Sequence, residues 1–143
     1  MPMKIVVLED NPDRVRVMRD CLEDRFPHFE CRFFGRAAEV TEYLEVNLAD
    51  TIVICLDHDL ELEPTPSGEP IDPGTGREVA DYLAGKVPVC PVVIHTTNAS
   101  AAQGMEMVLK DARWKTYRVL PFNDLEWIPT DWFRAVRRAI VRP

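Results

Sequence analysis

Lys4-Ile-Val-Val-Leu-Glu-Asp-Asn-Pro12 decides the fold. Its β-branched run from Lys4 to Leu8 has no polar alternation, as expected for a strand buried on both faces. Asn11-Pro12 then supplies an N-cap with proline at the first helical position. Val15, Met18, Leu22 and Phe26 recur at helical spacing, which gives a helix with one core-facing stripe. Glu9 and Asp10 sit at the joint between the two elements.

The same unit recurs along the chain. Phe29 to Phe34 reads as a second strand, with Phe29, Cys31 and Phe33 alternating, and Ala37, Val40 and Leu44 mark a helix after Gly35. Thr51 to Leu56 is another continuous apolar strand and stops abruptly at Asp57. Residues 61–76 hold Pro64, Pro66, Pro70 and Pro73 with three glycines and several acids, so a long loop is expected. Ordinary strand-to-helix connections are about 2–6 residues, and longer ones tend to be lids or binding loops. A helix with Val79 and Leu83 follows, then a strand from Val89 to Ile94 ending at His95. Met105, Val108 and Leu109 belong to a fourth helix, Tyr117 to Leu120 to a fifth strand, and Thr130 is expected to cap a last helix through Val136 and Ile140. Strand and helix thus alternate five times, which calls for a doubly wound parallel sheet with helices on both faces. No internal repeat or boundary divides residues 1–143, and one domain is expected.

Bulk composition excludes several functions. A net charge of −7 argues against binding a nucleic-acid polymer, whose phosphates require clustered Lys and Arg. The basic run from Arg134 to Arg142 reads as the solvated face of the last helix. Nothing near the amino terminus reads as a signal peptide and no apolar stretch could cross a bilayer, so a cytoplasmic protein away from membranes is expected. Cys21, Cys31, Cys55 and Cys90 show no close pairing, which suits free thiols in a reducing compartment.

In a parallel sheet of this kind, ligands bind beyond the carboxyl ends of the strands, where the strand order switches direction. Three strands end there in polar groups: Glu9 and Asp10, then Asp57-His58-Asp59, then His95-Thr-Thr-Asn98. Carboxylates gathered in one crevice repel unless a cation is present, and an oxygen-rich set with few thiolates suits Mg²⁺ or Mn²⁺. Glu9, Asp10, Asp57 and Asp59 are therefore the candidate metal ligands. His95 is the candidate general acid or base, because imidazole suits proton transfer near neutrality. His58 joins it, while Thr96 and Asn98 are candidate phosphate donors, Asn98 also orienting His95. Each has a structural alternative: Asp10 as a cap of the first helix, Asp59 as a turn residue, His95 as a hydrogen-bonded strand end, Asn98 or Ser100 as an N-cap. The pair His58-Asp59 also occurs in helical metal phosphohydrolases, but here it ends a strand.

These residues resemble the receiver domain of bacterial response regulators over nearly the whole chain. Val7-Leu-Glu-Asp-Asn-Pro12 is similar to the receiver's acidic pair, and Asp57 stands where receivers accept phosphate. Asp59 matches the residue whose backbone carbonyl helps hold the metal, and Tyr117-Arg-Val-Leu-Pro-Phe122 resembles the fifth strand with its switch aromatic. The resemblance implies a flavodoxin-like sheet with strand order 2-1-3-4-5. Two positions depart from it: Leu120 replaces the lysine before Pro121, and His95 replaces the Ser or Thr after the fourth strand, unless Thr96 fills that place. Leu56-Asp-His-Asp-Leu60, Asp72, Thr75-Gly76 and Ile94-His-Thr-Thr-Asn98 are in turn similar to the cyclic-phosphate processing receivers. That resemblance implies a metal-dependent phosphoesterase acting on a small phosphorylated molecule or cyclic nucleotide. The competing expectation is a degenerate receiver that accepts phosphate at Asp57 or binds a signalling partner protein.

Overall fold

Five parallel strands in the order β2-β1-β3-β4-β5 form one sheet in the computed structural model, which describes residues 2–62 and 65–142. The strands are β1 (Lys4–Leu8), β2 (Glu30–Phe34), β3 (Thr51–Leu56), β4 (Val92–His95) and β5 (Thr116–Val119). The helices are α1 (Pro12–Arg25), α2 (Ala37–Asn47), α3 (Gly76–Ala84), α4 (Ala99–Asp111) and α5 (Phe133–Val141). The expected doubly wound fold and strand order are those observed. No helix among the described residues is long and apolar enough to cross a membrane.

Side chains alternate across a strand, and this divides the core in two. Val6, Leu8, Ile54, Leu56, Val92 and Ile94 meet the buried stripes of α2, α3 and α4 on one face. Ile5, Val7, Val53, Cys55 and Val93 meet α1 and α5 on the other, with Trp127 and Trp132 between them. The continuous apolar runs of β1 and β3 follow from this two-sided burial.

Local chemistry sets the helix starts. Asn11 Oδ1 accepts from the Asp13 and Arg14 amides above Pro12, and Asn98 Oδ1 accepts from the Ala101 amide, so Asn98 rather than Ser100 caps α4. The last helix differs from expectation. A π-helical turn over Ile128–Trp132 precedes α5, closed by the Trp132 amide donating to the Trp127 carbonyl at 2.8 Å. Thr130 Oγ1 donates back to the Glu126 carbonyl and caps nothing. The fourth strand starts at Val92, not Val89: the preceding Pro91 has no N–H for the ladder, while its carbonyl accepts from Ile54.

The loop between β3 and α3 is tied down at both ends. The Glu61 amide donates to Asp10 Oδ2 at one end. At the other, the Pro73 carbonyl accepts from Ala37, Asp72 Oδ1 accepts from Gly74, and the Gly76 amide donates to the His58 carbonyl. Pro64 lies outside the described residues. All four cysteines are free, and burial pushes the Cys31 thiol up to about 11 and the Cys90 thiol to about 12.

Candidate metal centre at the strand ends

Register decides which polar groups meet. Leu8 pairs with Leu56 and Leu56 with Ile94, so Glu9, Asp57 and His95 stand in line one position further along. Alternation then sends all three to the sheet face that carries α1 and α5. Each offers a ligand atom within 4.8 Å of the others, and no other such group occurs among the described residues. They are nearly inaccessible, with 2% of Glu9, 5% of Asp57 and none of His95 exposed.

The hydrogen bonds hold this cluster in place. Glu9 Oε1 lies 3.1 Å from His95 Nε2, while Oε2 accepts from the Asn11 amide at 3.0 Å. Asp57 Oδ1 accepts from the His58 amide at 2.7 Å. His95 packs against Trp127 and Trp132, with ring centroids at 5.7 and 6.4 Å, and its buried Nδ1 has no partner among the described residues. An unpaired buried nitrogen costs about 1–3 kcal/mol.

The electrostatics are unbalanced. Burial, reinforced by the Glu9 charge, pushes the Asp57 carboxyl up to about 6 despite His95, the His58 amide and Arg14. Burial also works to raise Glu9, but the His95 hydrogen bond and charge, the Asn11 amide and Arg14 together outweigh it and hold Glu9 low. A buried pair of carboxylates, one strained towards protonation, with an imidazole beside it is a donor set that fits a divalent cation.

The other candidate residues fall around this centre. Asp10 is bonded to the Glu61 amide, and its carboxyl is raised by burial and by the Glu9 charge against the pull of that amide. His58 Nδ1 lies 2.8 Å from Asp59 Oδ1, and Asn98 Nδ2 donates to Asp59 Oδ2 at 3.5 Å. These three side chains form their own chain beside the cluster. Asn98 contacts Asp59 rather than His95, and buried Thr96 accepts from the Asn98 amide through Oγ1. Asp10 and Asp59 thus lie outside the three-ligand group.

Sequence reasoning missed Arg14, Trp127 and Trp132. Arg14 Nη1 lies 3.5 Å from Glu9 Oε1 and 3.8 Å from Asp57 Oδ2, with its guanidinium 5.1 Å from the Trp127 ring centroid. Nothing in the spacing of α1 distinguishes Arg14 from its other arginines. The parity of the strands, by contrast, could have separated Glu9, Asp57 and His95 from Asp10 and His58.

Residues 4–111 match the family model of the cyclic-phosphate processing receiver domain. The chain belongs to this family. No curated protein matches it. Among solved structures, this receiver is similar to the phosphorylated cyanobacterial phytochrome response regulator RcpA, with a TM-score of 0.72, 17% identity, and 99% of this chain and 96% of that one covered. The Mn²⁺-bound form of response regulator Rcp1 gives a TM-score of 0.67 at 15% identity, covering 96% and 93% of the two chains. The non-phosphorylated receiver domain of RcsB from Escherichia coli gives 0.63 at 19% identity, covering 96% and 92%. At such identities the likeness establishes the shared fold.

Proposed function

We propose that this receiver is a metal-dependent phosphoesterase acting on a small cyclic phosphate. The observation that carries the reading is the buried Glu9–Asp57–His95 cluster, whose ligand atoms all lie within 4.8 Å of one another. These three residues would hold the cation, and an imidazole in the set favours Mn²⁺ over Mg²⁺. The Mn²⁺-bound Rcp1 structure supports the choice of a divalent ion on this fold. When bound, the ion would supply a water of lowered pKa and polarise a phosphoryl oxygen.

The chain's own residues provide the proton chemistry. Opening a cyclic diester releases an alkoxide that must be protonated. His95 is wholly buried with Nε2 turned to Glu9, which suits it to holding the centre. His58 is better placed to deliver a proton, because Asp59 fixes its ring through Nδ1 and Asn98 in turn steadies Asp59. Proton transfer of this kind contributes typically about 10²–10⁴-fold.

The test is a screen of 2′,3′- and 3′,5′-cyclic nucleotides and cyclic sugar phosphates with Mn²⁺ or Mg²⁺. His95→Ala is expected to lose metal binding and turnover together, and His58→Ala to keep the metal and lose turnover. Failure to open any cyclic compound, or full activity in both variants, rejects the reading. The alternative is a signalling receiver, favoured by the position of Asp57 at the end of β3 in the fold shared with phosphorylated RcpA. In its phosphate-accepting form it requires stable phosphorylation of Asp57 by a small phosphodonor such as acetyl phosphate, which the phosphoesterase reading does not; in its other form it binds a signalling partner protein without phosphate.

A further inference from the structure

Arg14 touches the acidic cluster without a role in the chemistry above. Its distances to Glu9 and Asp57, 3.5 and 3.8 Å, exceed the roughly 2.7–2.9 Å of a charge-assisted hydrogen bond. The guanidinium therefore balances the two carboxylates by charge while its N–H donors stay uncommitted to them. Trp127 holds it from one side: the indole is fully buried, and its Nε1 donates to the Asp124 carbonyl at 2.9 Å. A guanidinium lying on an aromatic face keeps its donors free at its edge, where they can meet two oxygens at once.

The other side of Arg14 is open. It lines a groove of about 290 Å³ together with Asn11, Thr97, Phe122 and Asp124. About a quarter of its side chain, 26%, is exposed. A divalent cation would offset only the two carboxylates, so an entering phosphate group needs a further positive charge. Position 120, at the end of β5, cannot give it, being an uncharged leucine that is 65% exposed.

We propose that Arg14 is the phosphate-binding residue of this site, offering its uncommitted donors to phosphate oxygens that enter from the groove. The preference follows from charge: once a cation neutralises the carboxylates, the guanidinium loses its hold on them and an oxyanion becomes its best partner. This rests on the phosphoester reading above.

Calorimetry on the full chain separates the two. Mg²⁺ is titrated alone, then inorganic phosphate at saturating Mg²⁺, into wild type, Arg14→Ala and Arg14→Lys, with thermal melts to establish folding. Wild type binds phosphate only with the metal present. Arg14→Ala binds Mg²⁺ as tightly or more tightly, since a competing cation is gone, and binds phosphate at least tenfold more weakly. Arg14→Lys recovers part of the affinity, because a point charge cannot make the forked contact. Unchanged phosphate affinity in Arg14→Ala overturns the proposal, as does joint loss of metal and phosphate, which would mark Arg14 as structural. Should Arg14→Ala fail to fold, Arg14→Lys decides, and phosphate affinity equal to wild type overturns the proposal. Wild type that binds Mg²⁺ but no phosphate removes the phosphoester reading itself.

Discussion

Burial of Asp57 beside Glu9 raises its carboxyl from 3.8 to about 6, and the consequence for stability has a definite sign. Between those values the folded protein binds a proton that the unfolded chain has released. The contribution of Asp57 to the stability of the metal-free protein is thus fully present below about 4 and is lost as pH rises through about 6. Asp57→Asn removes the charge while keeping the acceptor for the His58 amide. It is expected to stabilise the metal-free protein at pH 7 by roughly 1–3 kcal/mol. Denaturant unfolding in EDTA at pH 5 and pH 8 measures both effects, and a variant no more stable than wild type at pH 8 contradicts the assignment. Metal binding should run the opposite way, tightening as pH rises past 6, because the ligand must be ionised.

At the scale of elements, the start of α3 is pressed against the end of β3. A Cβ on Gly76 would overlap the Asp57 carbonyl oxygen and come within 2.9 Å of Met105 Cε. The Gly76 amide also donates to the His58 carbonyl at 3.1 Å, so the helix start and the strand-end acid share one backbone junction. Neither backbone can give way without moving Asp57. Gly76→Ala is expected to cost about 1–3 kcal/mol, whereas a helix-interior glycine-to-alanine change is ordinarily favourable. Equilibrium unfolding gives the value, and a neutral or stabilising result would show the junction to be loose. Thr75-Gly76 was legible as part of a motif, but this steric requirement was not, because the Asp57 backbone is distant in sequence.

For the molecule as a whole, a cation bound at the proposed site would join β1, β3 and β4 and so would favour the folded state. Mn²⁺ at a hundredfold excess over its dissociation constant should add about 2.7 kcal/mol to unfolding stability. Asp57→Asn should lose most of that increment, although it is the more stable protein without metal. Thermal melts of the two proteins with and without Mn²⁺ check this crossover, and equal metal-induced shifts would place the ion elsewhere.

The fold was legible in the sequence because its signals are local. Apolar β-branched runs, the Asn11-Pro12 cap and five alternations of strand and helix are enough to define a doubly wound sheet. The acids at the strand ends were legible for the same reason. Boundaries moved where a local rule met a competing one, as at Pro91 and at the π-helical turn before Phe133. Only the tertiary structure decided which acids share a centre. Register and side-chain alternation bring Glu9, Asp57 and His95 onto one face, while Asp10 bonds to Glu61 and Asp59 to His58. Arg14 and Trp127 were invisible for a related reason: they lie more than a hundred residues apart, and their stacking over the acids depends on how α1 and the turn before α5 pack on the same sheet face. Periodicity specifies elements one at a time, whereas a buried cluster of charges is specified by the packing between them.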